Sequence, residues 1–382
     1  MYILIIGRGY PTPKYKTNGI FEYDQAKALA KCGNKVVYIA LDLRLFIHRR
    51  DYKQKHFVAD GVDVELVNIP FGSRPQKVVY PLYIYGMKYI LKKIYIKYGY
   101  PEIIHSHFPE ISYICAKSIQ SKRIPFIITE HSSKVHCRNL NKFEKKMLFY
   151  AYKKADKVLA VSESLCKVIF EDFHISAVSI PNLVNLDSFN YSERDTHQKN
   201  IFISVGNLIE LKQMDLLVVT FIKLINKFSD IQLYIFGEGS EREKLESLIS
   251  SHNVQDNIFL MGLRGREEIA EALKKSGTFI LLSRSETFGV AMIEALAAGV
   301  PVITTRCGGA EEYINNGING VFVDPYNVEE VIENCYLDNY KFISSNISED
   351  IKRKFSNIIV SKKILDIYRD VIRENYEYKK EI

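Results

Sequence analysis

The length, composition and charge of the chain exclude several classes of protein. With 382 residues, 47% of them hydrophobic and 25% charged, it is too long for one ordinary core, which predicts two domains, and too apolar for extended disorder. The charge of +7 is divided into a basic half, residues 1–190 with 29 Lys and Arg against 16 acids, and an acidic remainder. A basic half fits an anionic membrane, a nucleic acid or a phosphorylated substrate.

Short β-branched runs alternate with longer amphipathic stretches, a pattern typical of βαβ units in parallel sheets. The first series predicts strands at 2–6, 36–40, 64–69, 102–106, 126–129 and 157–161, and helices at 19–32, 80–98, 110–121 and 139–155. The second series predicts strands at 201–205, 231–236, 257–260, 278–282 and 301–304, each followed by a helix. No sequence repeat relates the two series, so the prediction is two doubly wound α/β domains with parallel sheets rather than a solenoid.

A polar, turn-rich segment without periodicity separates the two series. It predicts a first domain over 1–185, a linker over 186–199, a second domain over 200–360 and a C-terminal helix over 361–382 that packs back on the first domain or frays. Ligands of doubly wound sheets bind beyond the carboxyl ends of the strands. Two such sheets therefore predict a cleft between the domains.

The cysteines and the N-terminus bear on localisation. The cysteines form no C-x-x-C pair, and we expect reduced core thiols in a cytosolic protein. They are Cys32, Cys115, Cys137, Cys166, Cys307 and Cys335. Residues 1–7 lack a basic leader and a cleavage site, which predicts a first strand rather than a signal peptide. No apolar run approaches the roughly 18 residues of a membrane-spanning helix, so any membrane contact is expected to be peripheral.

The strongest chemical signal lies between residues 283 and 303. A strand ends there, a polar loop carries Glu286, and a helix is predicted to begin near Phe288. Backbone N–H groups at a helix start bind anions, and a glycine lets a phosphate approach closely. The groups expected to do so belong to Phe288, Gly289 and Val290. Glu294, about a turn and a half along the helix, then faces the diol of a ribose.

Each glutamate alone has a simpler interpretation, Glu294 as a solvated helix charge and Glu286 as an acid that favours a helix N-terminus. Together they resemble the E-x7-E signature of family 4 glycosyltransferases, and residues 294–303, EALAAGVPVI, match its usual wording. The resemblance implies a GT-B fold, in which two Rossmann-like domains face a central cleft. It also implies retention of anomeric configuration, no catalytic metal or other cofactor, and a nucleoside diphosphate sugar held mainly by the C-terminal domain.

A second segment, residues 204–213, resembles the family's turn that usually reads G-R-L-x-x-x-K-G. Lys212 is thereby implied as a ligand of the diphosphate, since a compact ammonium suits that task. Asn207 stands where the family has arginine. Arg264 and Arg284 are the candidates for the second positive charge that would bind the diphosphate.

Three glycine turns also resemble the family's pattern. Gly237 lies in a strand-end G-x-G beside the nucleotide, although a plain tight turn is the alternative. Residues 305–312 match the turn that shapes the pocket wall. Gly19 lies in the loop after the first strand that faces the sugar phosphate, and Asn18 before it tolerates the positive φ of a second glycine.

Polar residues at two strand ends complete the site expected in the first half. His105 and His107 share one strand face, and His107 matches the family position beside the donor sugar. His105 is interpreted as structural, because a metal site at this pair lacks a third ligand. At the end of the next strand, Glu130 or His131 is a candidate for contact with the acceptor hydroxyl.

These expectations combine into sugar transfer from a nucleoside diphosphate donor to a glycan or lipid-linked acceptor, in the synthesis of capsule, lipopolysaccharide or another surface polysaccharide or glycolipid. The catalytic assignment is His107, Glu286 and Lys212. The donor-binding assignment is Gly19, Asn207, Lys212, Gly237, Glu286, Phe288, Gly289, Val290 and Glu294. The alternatives are a GT-B nucleotide-sugar epimerase and a non-catalytic nucleotide-sugar-binding protein.

One predicted helix suggests a further partner. Residues 80–98 mix Lys with Tyr and aliphatic residues at helical spacing, and Arg44 and residues 48–50 add positive charge nearby. Tyrosines favour the bilayer interface, so peripheral contact with an anionic membrane at the cytoplasmic face is expected, with burial of one face in the core as the alternative. A nucleic-acid partner is not expected, because the sequence contains no recognisable nucleic-acid module.

Overall fold

The computed structural model describes residues 1–12, 18–43, 55–69, 76–119, 124–191 and 199–378. Arg44 and residues 48–50, which entered the membrane prediction, lie outside this part of the chain, as do residues 192–198 of the predicted linker. The chain divides into two compact units. The first comprises Met1–Leu183 with Asn357–Ile382, and the second comprises Val184–Ser356.

The first unit is built on an eight-stranded sheet. Its strands are β1 (Tyr2–Gly7), β2 (Lys35–Asp42), β3 (His56–Ala59), β4 (Val62–Asn68), β5 (Ile103–His107), β6 (Phe126–Glu130), β7 (Lys157–Ala160) and β8 (Ala177–Ser179). They are ordered β3-β4-β2-β1-β5-β6-β7-β8, and every described pairing is parallel except that of β3 with β4. The predicted parallel α/β architecture is confirmed for this unit.

Strand β3 was absent from the sequence-based prediction. It pairs antiparallel with β4 through the turn at Asp60 and Gly61, whose φ angles are 53° and 77°. Two consecutive residues in the left-handed region are typical of the Asp-Gly turn of a two-residue hairpin. The signal was therefore present in the sequence, but the short strand before it is only four residues long.

Within Met1–Leu183, the described helices of the first unit follow β1, β4, β5, β6 and β7, with two of them after β6. They are α1 (Ile20–Lys31), α2 (Gln76–Tyr98), α3 (Pro109–Ser118), α4 (Ser133–His136), α5 (Lys142–Lys154) and α6 (Glu163–Phe173). The helix predicted at 139–155 begins later, because Asn141 caps it: its side chain accepts from the backbone N–H of Glu144, and Glu144 reaches back to Asn141. Such a capping box fixes a helix start.

The second unit is a six-stranded parallel sheet flanked by helices. Its strands are β9 (Ile201–Val205), β10 (Gln232–Phe236), β11 (Ile258–Gly262), β12 (Thr278–Leu281), β13 (Val302–Thr305) and β14 (Gly320–Val323). Its helices are α7 (Met214–Ile225), α8 (Arg242–Ser251), α9 (Arg266–Lys274), α10 (Val290–Ala297), α11 (Val328–Tyr336) and α12 (Ser344–Phe355). The strand order β11-β10-β9-β12-β13-β14 reverses its direction of growth between β9 and β12, and ligands of doubly wound sheets bind at that point.

The last helix, α13 (Asn357–Tyr378), belongs to the first unit. Its apolar face is buried in the core that also contains Ile3 and Tyr38 of the first sheet. The buried residues of this face are Val360, Ile364, Leu365, Tyr368 and Val371. The helix was predicted from residue 361, and the structure begins it at Asn357.

The structure corrects part of the cysteine prediction. Cys115, Cys166, Cys307 and Cys335 are buried, whereas Cys32 and Cys137 are exposed. Each exposed cysteine immediately follows the last residue of a helix, α1 or α4. A position just past a helix end faces solvent even when the helix itself is amphipathic, so these two thiols are not core residues.

Candidate active site

The loop after β12 holds Glu286 by its backbone. The N–H of Glu286 donates to the carbonyl of Cys307 at 2.8 Å, and its carbonyl accepts from the N–H of Gly309 at 2.9 Å. These bonds form an isolated parallel bridge between Glu286 and Gly308, beyond the last residues of β12 and β13, which are Leu281 and Thr305. The sheet thus fixes the position from which the Glu286 side chain extends.

The carboxylate of Glu286 meets Lys212. Its Oε1 atom accepts hydrogen bonds from Lys212 Nζ and, at 2.7 Å, from Ser283 Oγ. Lys212 ends the short 3₁₀ turn that follows β9, and the backbone N–H of Arg284 donates to the carbonyl of Leu211 at 2.9 Å. The loops after β9 and β12 therefore join at the switch point of the sheet, with a cation and a carboxylate in contact.

Helix α10 begins at Val290, two residues after the predicted start, because Gly289 at its N-cap is left-handed with a φ of 81°. A Cβ atom on Gly289 would lie 2.2 Å from Met292 Cε and 2.6 Å from Tyr313 Oη. Phe288 is buried, and its carbonyl accepts from Tyr313 Oη at 2.6 Å. The Phe288 side chain therefore belongs to the core, and only its backbone is available to a ligand.

Glu294 is buried on α10 and lies 3.4 Å from the Nε atom of Arg266, the first residue of α9. The sequence analysis missed Arg266, although it stands two residues after Arg264. The two arginines proposed there as the second cation each face another acid. Arg284 lies 3.0 Å from Glu210, and Arg264 lies 3.6 Å from Glu268 in a half-exposed pair.

The turns after β9 and β10 lie against each other without room for a side chain. A Cβ atom on Gly237, whose φ is 149°, would lie 1.9 Å from the carbonyl oxygen of Gly206. The N–H of Gly206 donates to the carbonyl of Phe236 at 2.9 Å. Asn207, next in the chain, is exposed at this edge. Gly237 is thus required by the close approach of two backbones.

In the first unit, two predicted residues also meet. The Nδ1 atom of His107 lies 2.9 Å from Nε2 of His131, at the ends of β5 and β6. In the part of the chain that the structure describes, His107 Nε2 and His131 Nδ1 are buried without a hydrogen-bond partner. Whichever ring donates in the shared bond, one of these two atoms is left as a donor and the other as an acceptor.

Both histidines are neutral near pH 7. Burial, and then the charge of Arg8, lowers the pKa of His107 to about 3. Burial, followed by the charges of His107 and Arg8, lowers the pKa of His131 well below its ordinary value. The pair therefore offers hydrogen bonds rather than positive charge.

His105 and Glu130 have internal partners. His105 bonds to Thr129 Oγ1 at 2.6 Å and to Tyr368 Oη at 2.5 Å, so it links β5 to β6 and α13. Glu130 accepts from Tyr152 Oη at 2.7 Å and from the backbone N–H groups of the two residues that follow it, at 2.9 and 2.8 Å. Burial raises the pKa of Glu130. In this structure Glu130 shapes the loop that carries His131.

Gly19 precedes α1 with a φ of 71°. A Cβ atom there would lie 2.1 Å from the carbonyl oxygen of Gly9. That carbonyl also accepts from Tyr38 Oη at 2.6 Å. The start of α1 therefore lies directly against the segment after β1, which requires glycine at this position.

Known proteins resemble the chain along most of its length. Residues 21–188 match the family model described as Glycosyltransferase Family 4, and residues 189–335 match the model described as Glycosyl transferases group 1. The N-acetyl-alpha-D-glucosaminyl L-malate synthase of Bacillus anthracis is 27% identical over 293 residues, which cover 72% of this chain and 76% of that protein. The chain is a glycosyltransferase.

Solved structures give the fold class. Sucrose-phosphate synthase from Thermosynechococcus elongatus has a TM-score of 0.82 at 19% identity and covers 98% of this chain and 100% of its own. Anabaena Alr3699/HepE, solved in complex with UDP-glucose, has a TM-score of 0.74 at 16% identity and covers 97% of this chain and 100% of its own. The predicted GT-B fold is confirmed.

In this glycosyltransferase the structure brings some of the predicted residues into contact within each unit. Lys212 and Glu286 meet between the loops after β9 and β12, and His107 and His131 meet at the ends of β5 and β6. Glu294 lies apart from these strand ends, on α10, where it pairs with Arg266. Among the described residues, no three His, Cys, Asp or Glu side chains form a group that could hold a metal ion. No helix of the described ranges is long and apolar enough to cross a membrane.

Proposed function

We propose that this glycosyltransferase moves a sugar from a nucleoside diphosphate donor to a hydroxyl of a glycan or lipid-linked acceptor, with retention of anomeric configuration. The contact of Lys212 with Glu286 at the switch point of the second sheet carries the proposal. A cation for the diphosphate and a carboxylate for sugar hydroxyls stand side by side where doubly wound sheets bind ligands. The structure of Alr3699/HepE with UDP-glucose supports a donor of this class.

Each candidate residue of the second unit is then assigned to one part of the donor. Lys212 and the backbone N–H groups at the start of α10 stabilise the departing diphosphate. Glu286 accepts hydrogen bonds from the transferred sugar, and Glu294, held by Arg266, accepts them from the ribose. Because Lys212 and Glu286 pair in the free protein, donor binding exchanges this pair for contacts of each with the donor.

The proposed reaction follows a front-face path, which the E-x7-E segment favours by its resemblance. The bond from the anomeric carbon to the diphosphate oxygen breaks as the acceptor oxygen attacks from the same face through an oxocarbenium-like state. The acceptor proton passes to the departing diphosphate, so the path requires no catalytic metal. His107 is neutral, so at the position that the resemblance assigns beside the donor sugar it can offer hydrogen bonds but no charge.

The first prediction tests the division of labour between the two glutamates. We expect Glu286→Ala to lower kcat by about 100-fold or more, because it removes a contact of the reacting sugar. Glu294→Gln should instead raise the KM for the donor by about tenfold and spare kcat, because it weakens a contact shared by ground and transition states. The measurement is steady-state release of nucleoside diphosphate with and without acceptor.

Glu243→Gln is the matched control, since Glu243 is an exposed residue on α8. Parental transfer rates in both Glu286→Ala and Glu294→Gln would contradict the proposal. The two alternatives give different results in the same assay. An epimerised nucleotide sugar formed without acceptor would indicate the epimerase, and donor binding without turnover would indicate the non-catalytic protein that Asn207 favours.

We further propose that α2 lies on an anionic membrane at the cytoplasmic face, where surface polysaccharide or glycolipid acceptors are assembled. The outer side of α2 carries a stripe of exposed apolar and aromatic side chains, called here the α2 stripe. It comprises Val78, Leu82, Tyr85, Tyr89 and Ile96, which are 43% to 78% exposed. Exposed Lys88, Lys92, Lys93 and Lys97 flank it. Apolar anchors beside lysines bind an anionic lipid surface.

A further inference from the structure

The first unit contains a cavity that the donor proposal does not use. Its volume is about 180 Å³. It opens at the carboxyl ends of β1, β5 and β6, the edge of the sheet that also carries His107. The polar and aromatic side chains of its wall are Arg8, Tyr80, Phe108, Glu110, Ser132, Lys134 and Glu144. We call this cavity the Arg8 pocket.

Arg8 is the unusual member of the wall. Its guanidinium carbon lies 3.1 Å from the centroid of the Phe108 ring, so the two planar groups are in contact. Its Nε atom lies 3.8 Å from Glu22 Oε1, and in the described part of the chain its two Nη atoms donate no hydrogen bond. The side chain is 49% exposed. A guanidinium whose carbon lies over an aromatic ring, with its Nη atoms unbonded, can present its two-nitrogen fork to a ligand.

The acids of the wall are already hydrogen-bonded within the protein. Glu144 accepts from Lys134 Nζ at 2.9 Å and closes the capping box of α5. Glu110 accepts from Tyr80 Oη at 3.3 Å. Arg8 pairs with Glu22 only through Nε, so its two Nη atoms remain as the donors available to an incoming group. A fork of N–H donors matches a carboxylate or a phosphate, which accepts two parallel hydrogen bonds.

Phe108 connects this cation to the strand-end histidines. Its ring stacks on that of His131 at 4.6 Å between centroids, with 26° between the planes. His131 in turn bonds His107. Arg8, Phe108 and His131 therefore form one contiguous group at this edge of the sheet.

We propose that the Arg8 pocket binds the acceptor of the transfer reaction and that this acceptor carries a phosphate or carboxylate group, held by the Arg8 fork. The proposal rests on the proposed function, because it assigns the second substrate of that reaction. The recipient hydroxyl then belongs to a small anionic molecule or to the headgroup of an anionic lipid.

Titration calorimetry of the full chain tests this with glycerol 3-phosphate, glycerate and uncharged glycerol. The parent protein should bind both anions and not glycerol. Arg8→Gln should weaken anion binding by about tenfold or more, and Arg8→Lys should weaken it less, because it keeps the charge and loses the fork. Arg369→Gln, at a 61% exposed arginine of α13, should bind as the parent does. Thermal unfolding of each variant confirms that it is folded.

Lys212→Gln separates the pocket from the donor site, where phosphate is also expected to bind. Retained binding of glycerol 3-phosphate in this variant supports the proposal. It is overturned if Arg8→Gln binds the anions as the parent does, if the parent binds neither anion, or if glycerol binds equally well. Monomeric dihexanoyl phosphatidic acid distinguishes the sources: tighter binding than glycerol 3-phosphate indicates a lipid acceptor, and equal Arg8-dependent binding indicates a soluble one.

The same samples keep the two proposals apart. If no nucleotide sugar binds the parent protein, the proposed function fails, whatever the result of the anion titrations. If nucleotide sugars bind and Arg8→Gln binds the anions as tightly as the parent does, only the acceptor assignment fails. Donor and anion titrations therefore give independent answers.

Discussion

The two glutamates of the E-x7-E segment have different partners in the structure. Glu286 faces Lys212 and Ser283 from the loop after β12, whereas Glu294 faces Arg266 from α10. Since these contacts involve different residues, we expect substitution of one glutamate to leave the named contacts of the other in place. Their effects on the free energy of donor binding should therefore be nearly additive.

The buried histidines predict how stability responds to acid. His107 has a pKa of about 3 in the folded protein because of burial and Arg8, against about 6.5 in an unfolded chain. Between these values the unfolded chain binds more protons, so the free energy of unfolding rises with pH up to about 6.5 and is lost as pH falls. His107→Asn should make the urea midpoint less sensitive to pH between 5 and 7.

His105 and His131 titrate in the same direction, so the variant should reduce the pH dependence without abolishing it. Glu130 acts oppositely. Because its pKa is raised in the folded protein, the folded protein binds more protons than the unfolded chain above about pH 4.5, and this lowers the free energy of unfolding as pH rises. Glu130 is present in both the parent and the variant, so it does not affect the comparison. His252→Asn, at an exposed position, is the control. An unchanged pH dependence in His107→Asn would show that the folded protein protonates His107 as readily as the unfolded chain does.

At the scale of elements, α13 completes the core of the first sheet. Ile364 is 1% exposed and packs in the cluster that contains Ile3 and Tyr38. Ile364→Ala should destabilise the protein by about 2–5 kcal/mol, since it leaves a cavity in a packed core. Urea unfolding followed by circular dichroism measures this change.

Lys363→Ala on the opposite, exposed side of α13 is the control and should alter stability by about 0.5 kcal/mol or less. If Ile364→Ala matched this control, α13 would not contribute to the core. A loss of helical signal without a change in the unfolding midpoint would lead to the same conclusion.

Most of the fold could be predicted from the sequence because parallel strands and amphipathic helices have strong periodic patterns. Elements without such a pattern escaped prediction. Strands β3, β8 and β14 have four, three and four residues, too few for a period, and β14 stands where the sequence predicted a helix after 301–304. The start of α10 was misplaced because the left-handed Gly289, rather than hydrophobic spacing, sets it.

The sequence could place candidate residues only where they stand at or after a strand end within a recognisable segment, as with Lys212, Glu286 and His107, and their roles in sugar transfer stay predictions. Contacts between residues on different elements could not be predicted, because they depend on which loops and helices are neighbours in the fold. Arg266 with Glu294 and His107 with His131 are both of this kind. Arg8 was missed because its partner Phe108 is distant in sequence.

At the scale of the whole molecule, the α2 stripe predicts that the protein binds anionic lipid membranes. The full chain should sediment with vesicles that contain phosphatidylglycerol and remain in solution with phosphatidylcholine vesicles. Replacing Tyr85 and Tyr89, which are 78% and 58% exposed, with serine should lower the bound fraction severalfold, because two interfacial anchors are lost.

Tyr326→Ser is the matched control, since Tyr326 is 97% exposed in the second unit and lies outside the α2 stripe. Equal binding of the parent and the double variant to phosphatidylglycerol vesicles would contradict the membrane proposal. Equal binding of the parent to both kinds of vesicle would remove the role of the lysines.

The division of the first unit into Met1–Leu183 and Asn357–Ile382 has a consequence for synthesis of the chain. A ribosome releases the first sheet long before it releases α13, while Val184–Ser356 emerges as an uninterrupted piece. The second unit can therefore finish folding during translation, but the first waits with an open apolar face until the last helix leaves the exit tunnel. A chain terminated before α13 would leave that face uncovered, so we expect it to bind chaperones and to be degraded faster than the full chain.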